Sequence, residues 1–433
     1  MYIIGINFGY KETTASLYNT ESRRGVVERL NILDGDTSES CKVESAVCRN
    51  RETGEWQFAR DMRDYHLPDF SNDFIGTMNA MTPKKKEAFA AFVRLVFAHI
   101  LKNQEFLHYN PVTGERNFEI YVALGKENID QAKEYKNFIS SIIPLDWVIP
   151  DSMAVYFKFK AETHFSTSSA LVINIDSRSI DFTAYNEKGK QSLLKVYEHG
   201  SSAIENLIYK YFEEHDENFN IAKEEGEALC SNIDWRNAVI HYINREKEWF
   251  YNSELPELCL DLSNRHICRD GKRRVFDDCE ISEKQLEDEI LAPYRQTLLQ
   301  DMSDIKQRLA KGKNGIPEVV ILAGESSRMP WFQRLMKGVF SDSQVFRDAE
   351  PSYVVSDGLA YYGTDIHKMK SAIENLKTSI ATAFHEFHIQ DYNTAYADYV
   401  ISKMQDFLED EHMLEYAKKE PEKQEEPIRL KKS

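Results

Sequence analysis

Five short segments place glycines and polar residues where the chain turns out of an apolar stretch. Residues 4–14 read Ile-Gly-Ile-Asn-Phe-Gly-Tyr-Lys-Glu-Thr-Thr. A strand that ends in a glycine hairpin, with hydroxyl residues on the return, can present backbone N–H groups to a phosphate. The same pattern also serves an ordinary β-hairpin. Residues 150–156 put Asp151 ahead of a tightly packed helix, either as a loop carboxylate or as an N-cap. Residues 174–181 make a polar hairpin tip of Asn174, Asp176, Ser177 and Arg178 between two apolar strands, which alone signals a turn. Residues 320–330 carry a buried strand through Gly324, Glu325, Ser326 and Arg328 into a helix that opens at Pro330. The free N–H groups and dipole of such a helix start suit an anionic or nucleotide ligand. Residues 351–360 form a loop leading into a helix where Gly358 and Ala360 allow close helix crossing.

The elements that must hold these segments are readable from periodicity. Residues 3–8 read as a buried strand, 9–12 as a turn and 13–18 as the return strand, with β-rich sequence continuing to about 48. Thr82 and Pro83 supply the N-cap and first position of a helix. Its Phe89, Phe92, Val93, Val96, Ile100 and Leu101 keep the helical period. A strand is expected over 118–124 and a helix over 129–143. The strand–turn–strand opening then recurs at 171–175, 176–179 and 180–185, followed by a helix with Ile204, Leu207, Ile208, Tyr211 and Phe212 on one face. The recurrence is a duplication of architecture rather than of sequence. Ser282 and Gln285 form a capping box that opens a long helix towards Lys311. A buried strand follows at 318–323. The expected organisation is an N-terminal lobe over 1–169 and a C-terminal lobe over 170–364, the latter with an inserted subdomain at 221–281. A polar helical extension is expected over 365–418. The charged tail over 419–433 holds too little apolar sequence to order itself.

The 433 residues are 42% hydrophobic, enough for a large core and too long for one simple domain. Fifty-four basic residues against 71 acidic give a net charge of −17, which argues against nucleic acid as a partner. The six cysteines form no CxxC pair, and Cys259, Cys268 and Cys279 have spacings that suit no standard zinc cluster. No apolar run reaches membrane-spanning length, and the N-terminus enters a strand rather than a basic-then-apolar leader. A cytoplasmic protein with reduced thiols and no membrane partner is the expectation.

Taken together, the order and separations of the five segments resemble the phosphate 1, connect 1, phosphate 2, adenosine and connect 2 motifs of the actin-like ATPase superfamily. Among its members the chain is most similar to the nucleotide-binding domain of the 70-kDa heat-shock chaperones. The adenosine segment carries the most specific similarity: Val-Ile-Leu-Ala-Gly-x-Ser-Ser-Arg-Met-Pro resembles the family's Val-Leu-Val-Gly-Gly-Ser-Thr-Arg-Ile-Pro. The helix after Gly200, Ser201 and Ser202 is similar to the one after phosphate 2. The stretch from Asn244 to Glu248 is similar to the subdomain over the adenine. The resemblance covers about 1–363 and does not extend to the chaperones' β-rich substrate domain.

What the resemblance implies is an α/β, ribonuclease H-like fold of two duplicated lobes, with ATP or ADP and Mg²⁺ between them. Asn7 matches the family's first aspartate, which orders the metal's water shell, and Asn174 matches the second. Asp151 matches a glutamate that helps place the attacking water. Gly9, Tyr10 and Lys11 on the first hairpin and Asp176, Ser177 and Arg178 on the second fall on the phosphate side. Asp176, Ser177 and Arg178 stand where the family has three glycines. Gly324, Glu325, Ser326 and Arg328 match the adenosine turn, with Glu325 replacing a glycine, and Lys247 matches an adenine-side lysine. Arg328 is expected to stack on the base.

Several of these departures weaken the chemistry. Amides at 7 and 174 remove two charges from the surroundings of Mg²⁺, which prefers anionic oxygens. A small register shift would bring Asp176 to the metal. Arg178 is a candidate charged phosphate donor. The functional expectation is a chaperone-like nucleotide-binding module with slow or impaired hydrolysis, hence a weak ATPase at most. Its partners would be an adenine nucleotide and a protein docking on the C-terminal helices. A pseudo-ATPase scaffold and an actin-like filament protein remain the alternatives.

Overall fold

The architecture comes from a computed structural model. It describes residues 1–386 and Ser402, apart from residues 23, 36, 164–168, 187–188, 254, 264–267, 269, 271, 273 and 313–314. The chain divides into two compact units, Met1–Thr364 and Asp365–Ser433. Most of the expected helical extension beyond 386, and the charged tail at 419–433, lie outside the described residues.

The first sheet is built from β1 (Tyr2–Phe8), β2 (Glu12–Asn19), β3 (Val27–Arg29) and β4 (Lys42–Glu44), together with two later strands. A separate ribbon pairs β5 (Val47–Arg49) with β6 (Trp56–Phe58). A one-turn helix α1 (Asp61–Asp64) and the long α2 (Pro83–Asn103) lead to β7 (Phe118–Leu124). Then come α3 (Ala132–Ser140), β8 (Trp147–Pro150) and α4 (Asp151–Glu162). The sheet order is β3-β2-β1-β7-β8, with β4 also on β2. β1–β2 and β2–β3 are antiparallel, while β1–β7 and β7–β8 are parallel.

The second sheet repeats this plan. β9 (Ala170–Ile175), β10 (Ile180–Tyr185) and β11 (Gln191–Tyr197) form an antiparallel meander. After an insertion, β14 (Val319–Ala323) and β15 (Gln344–Arg347) add in parallel on the other side of β9. The order β11-β10-β9-β14-β15 matches the first sheet position for position. The class is therefore α/β, with a duplicated topology. The central strands are near-continuous apolar runs, and all residues of β9 and β14 are buried. That is what a strand covered on both faces requires.

The insertion holds α5 (Ser202–His215), α6 (Glu217–Glu227), α7 (Asn232–Ser253) and a ribbon of β12 (Glu257–Leu260) with β13 (Cys279–Ser282). The helices α8 (Ala292–Lys311), α9 (Pro330–Val339) and α10 (Val354–Glu386) follow.

Two sequence expectations change. The helix expected over 129–143 is a 3₁₀ turn, Lys126–Gln131, followed by the shorter α3. The helix expected to run unbroken from the Ser282 box is interrupted. The box itself forms, since the Gln285 N–H donates to Ser282 Oγ at 3.4 Å and the Ser282 N–H to Gln285 Oε1 at 3.3 Å. A π-helical turn at Gln285–Ile290 precedes α8, because Pro293 has no N–H to continue an α-helical ladder.

Gly358 is where α10 meets α4. A Cβ there would lie 1.9 Å from the Ala154 carbonyl oxygen, so only glycine permits this approach.

Candidate functional site

In open α/β sheets ligands collect beyond the carboxyl ends of the parallel strands. Here a cavity of about 560 Å³ lies at those ends, within the size range of small-molecule sites, roughly 300–1,000 Å³. Three turns border it. The β1–β2 hairpin closes after the Phe8–Thr13 pair, leaving Gly9, Tyr10 and Lys11 at its tip. The β9–β10 hairpin closes at the Ile175–Ile180 pair, leaving Asp176, Ser177, Arg178 and Ser179. The third turn follows β14 at Gly324. Its φ is +81°, and an added Cβ would sit 2.3 Å from the Ile175 carbonyl oxygen. Glycine is therefore required both by conformation and by space.

Of the residues singled out in the sequence, Asn7, Gly9, Tyr10, Lys11, Asp151, Asn174, Asp176, Ser177, Arg178, Gly324 and Ser326 all line this cavity. Residues as far apart as 7 and 326 thus meet in one place. Ser177 Oγ is buried and makes no hydrogen bond among the described residues.

Two expected residues are elsewhere. Lys247 does not line the cavity; it is buried and ion-paired to Glu205. Arg328 does not line the cavity either. Its Nη1 donates to Asn252 Oδ1 at 3.0 Å, and Nη2 lies 3.6 Å from Glu350 Oε2. Those partners engage the guanidinium. The Glu325 side chain lies outside the described set.

Arg178 also departs from its expected role. Its guanidinium lies over the Tyr10 ring, 4.0 Å from the centroid, and donates to Tyr10 Oη at 2.6 Å. It also pairs with Asp73, whose second oxygen accepts from Lys85 Nζ at 2.6 Å. The tips of the two hairpins are therefore latched to each other, and the arginine is engaged rather than a free phosphate donor. Burial, against the pull of Arg178, pushes the Tyr10 hydroxyl above its ordinary value, so it stays protonated.

A second cross-cleft network lies deeper. Lys11 Nζ is 2.8 Å from Glu205 Oε2 and donates to Asn244 Oδ1 at 2.8 Å. Glu205 is fully buried between Lys11 and Lys247. Burial opposes its ionisation, yet the two ammonium groups hold the carboxyl below its usual range.

The centre of the cavity is acidic with one embedded cation. Lys126 follows β7 after Gly125. Its Nζ donates to Asp181 Oδ2 at 3.1 Å and to the Ser179 carbonyl at 3.4 Å. Burial alone would lower its pKa, but Asp181, Asp176 and Asp151 outweigh burial and hold the ammonium above its ordinary value. Asp151 opens α4, and its Oδ2 accepts from Asn174 Nδ2 at 3.2 Å. Burial, reinforced by Asp181, pushes the Asp151 carboxyl well above its ordinary value.

Lys126, Glu127, Asp73 and Glu198 were not among the residues singled out from the sequence. The available signal for Lys126 was its place just past the carboxyl end of a buried strand. For Asp73 there was none, since its partner Arg178 is 105 residues away.

Six carboxyl side chains line the cavity, Glu12, Glu127, Asp151, Asp176, Glu198 and Glu248, against the cations Lys11, Lys126 and Arg178. A divalent cation is the group the heat-shock resemblance implies, and the residues present do not fit one. Positions 7 and 174 are amides, Asn174 turns its N–H towards Asp151, and the Lys126 ammonium already occupies the acidic centre. Away from the cavity, Cys259, Asp278 and Glu280 have ligand atoms within 4.8 Å of one another, a group that includes neither Cys268 nor Cys279. No helix among the described residues is long and apolar enough to cross a membrane. Comparison with protein-family models gives no match, and comparison with curated proteins gives none.

Proposed function

We propose that this chain is an actin-like two-lobed module, related in plan to the nucleotide-binding domain of the 70-kDa heat-shock chaperones. In this reading it holds an adenine nucleotide between its lobes without productive hydrolysis. The observation that carries the reading is the convergence of both hairpin tips and the Gly324 turn on one cavity of about 560 Å³. The identical order of the two sheets supports the actin-like assignment. Backbone turns of this kind cradle phosphates without help from side-chain charge, and the Ser177 hydroxyl supplies an unpaired donor beside them. Impaired turnover follows from the amides at 7 and 174, which take two anionic oxygens away from where the resemblance puts Mg²⁺.

A scaffold that binds no nucleotide is the second reading. It is favoured by the excess of carboxyl groups around the cavity and by the Arg178–Tyr10–Asp73 latch. Isothermal titration of the full chain with ADP and ATP separates the two. Saturable binding at one site per chain, without phosphate release over hours, supports the nucleotide module. Absence of binding to both nucleotides, with and without Mg²⁺, leaves the scaffold. Sustained phosphate release that scales with the protein concentration would overturn the claim of impaired hydrolysis.

A further inference from the structure

We propose that Lys126 is a built-in cation that replaces a divalent metal in this cleft, so that an anionic ligand is taken up metal-free. The part concerning the ligand rests on the nucleotide reading above; the part concerning the cation does not. Lys126 and Asp181 are both almost fully buried, with 5% and 1% of their side-chain surfaces exposed. Carboxyl groups face the Lys126 ammonium from separate elements. Asp181 comes from β10, Asp176 from the hairpin tip and Asp151 from the start of α4. Carboxylates gathered away from water require a compensating positive charge. In a metal-dependent cleft an incoming cation supplies it; here the chain supplies it covalently.

The position of Lys126 is fixed by the fold. β7 ends at Leu124, Gly125 caps the 3₁₀ turn Lys126–Gln131, and the Lys126 side chain reaches Asp181 on β10. An ammonium carries three donors. Asp181 and the Ser179 carbonyl take two, leaving one for an oxygen inside the cavity that Lys126 lines. The ammonium stands where a divalent ion would have to sit among these carboxyl groups, and its remaining donor is the group offered to an anionic oxygen. The amides at 7 and 174 agree with this arrangement, because two more carboxylates would add to the three carboxyl groups already facing one ammonium.

The test uses full-length protein and Lys126→Met, with two measurements. Thermal melting in Na⁺, Mg²⁺ or Mn²⁺, with no nucleotide present, reads the cation alone. Wild type is expected to melt at the same temperature in all three at matched ionic strength. Lys126→Met is expected to melt lower in Na⁺, to recover in Mn²⁺ or Mg²⁺, and to bind one divalent ion per chain by titration. If Lys126→Met cannot be refolded in Na⁺, Lys126→Gln, which removes the charge and keeps every carboxyl group, takes its place in the same melts. Titration of wild type with ADP in EDTA and in Mg²⁺ reads the ligand, and the two affinities are expected to agree to within about twofold. Specific Mg²⁺ or Mn²⁺ binding by wild type would overturn the proposal. So would a loss of ADP affinity of about tenfold or more in EDTA, or a folded Lys126 variant indifferent to divalent ions. Absence of ADP binding in both conditions removes the nucleotide reading, while the melting series still decides the role of Lys126.

Discussion

Replacing Arg178 by alanine removes the contact that joins the two hairpin tips. Its guanidinium stacks on Tyr10 and bonds its hydroxyl at 2.6 Å, and it pairs with Asp73. The side chains of Arg178 and Asp73 are 47% and 34% exposed, so solvent screens the ion pair. Such a pair contributes about 1 kcal/mol at most, and the stacking adds about 0.5–1 kcal/mol. The latch is therefore worth about 1–2 kcal/mol, which corresponds to roughly a five- to thirtyfold bias against separating the two tips. Arg178→Ala is expected to raise the rate of association of a fluorescent adenine nucleotide by about that factor, as measured by stopped flow. The melting temperature should fall by only a few degrees, because the latch is a small part of a large fold. If Arg178 instead holds phosphate, association is unchanged, dissociation is faster, and tripolyphosphate loses as much affinity as ATP. That pattern would refute the latch.

Asp151 has a folded-state pKa above its unfolded value, so the folded form binds its proton more tightly. Its contribution is fully present below the ordinary carboxyl range, about pH 4, and is lost as pH rises through the folded value. The loss amounts to about 1.4 kcal/mol for each pH unit that separates the folded and unfolded values. Asp151→Asn should therefore gain stability on wild type steadily from about pH 4 upward; parallel stability curves in denaturant titrations would contradict this. Glu205→Gln leaves Lys11 and Lys247 facing each other in the core and should cost about 3–5 kcal/mol. Lys11→Met should cost clearly less, because Lys247 still pairs Glu205, and equal losses in chemical denaturation would show that the triad is misread. Gly358→Ala places a Cβ 1.9 Å from the Ala154 carbonyl oxygen and should destabilise by about 1–3 kcal/mol or more. A neutral effect would mean that α4 and α10 can separate freely.

The strands were legible because a strand covered on both faces must be apolar along its whole length, as in residues 118–124 and 170–175. The hairpins were legible because each joins two such runs through a short polar tip. Helix boundaries were less so. Nothing in the run after Ser282 announces a π-helical turn except Pro293, whose missing N–H acts locally. In the site, residues on turns came together because the turns themselves define the cavity. The long-range partners of side chains were not legible. Lys247 and Arg328 look like ligand contacts in isolation, but Glu205, Asn252 and Glu350, each far away in sequence, engage them. Lys126 carries the opposite lesson, since a single lysine after a strand has no local signature of the acidic residues waiting across the cavity.

The nucleotide reading is tested most directly by amide hydrogen exchange on the full chain with and without saturating ADP. Ordering of the ligand-bearing turns should slow exchange in peptides covering residues 5–14, 174–181 and 320–330 together, with little change at the β12–β13 ribbon. Protection of all three turns by one ligand is the expected result. Exchange unchanged by ADP at all three, or protection confined to segments away from the cavity, would contradict the claim that these turns form a nucleotide site.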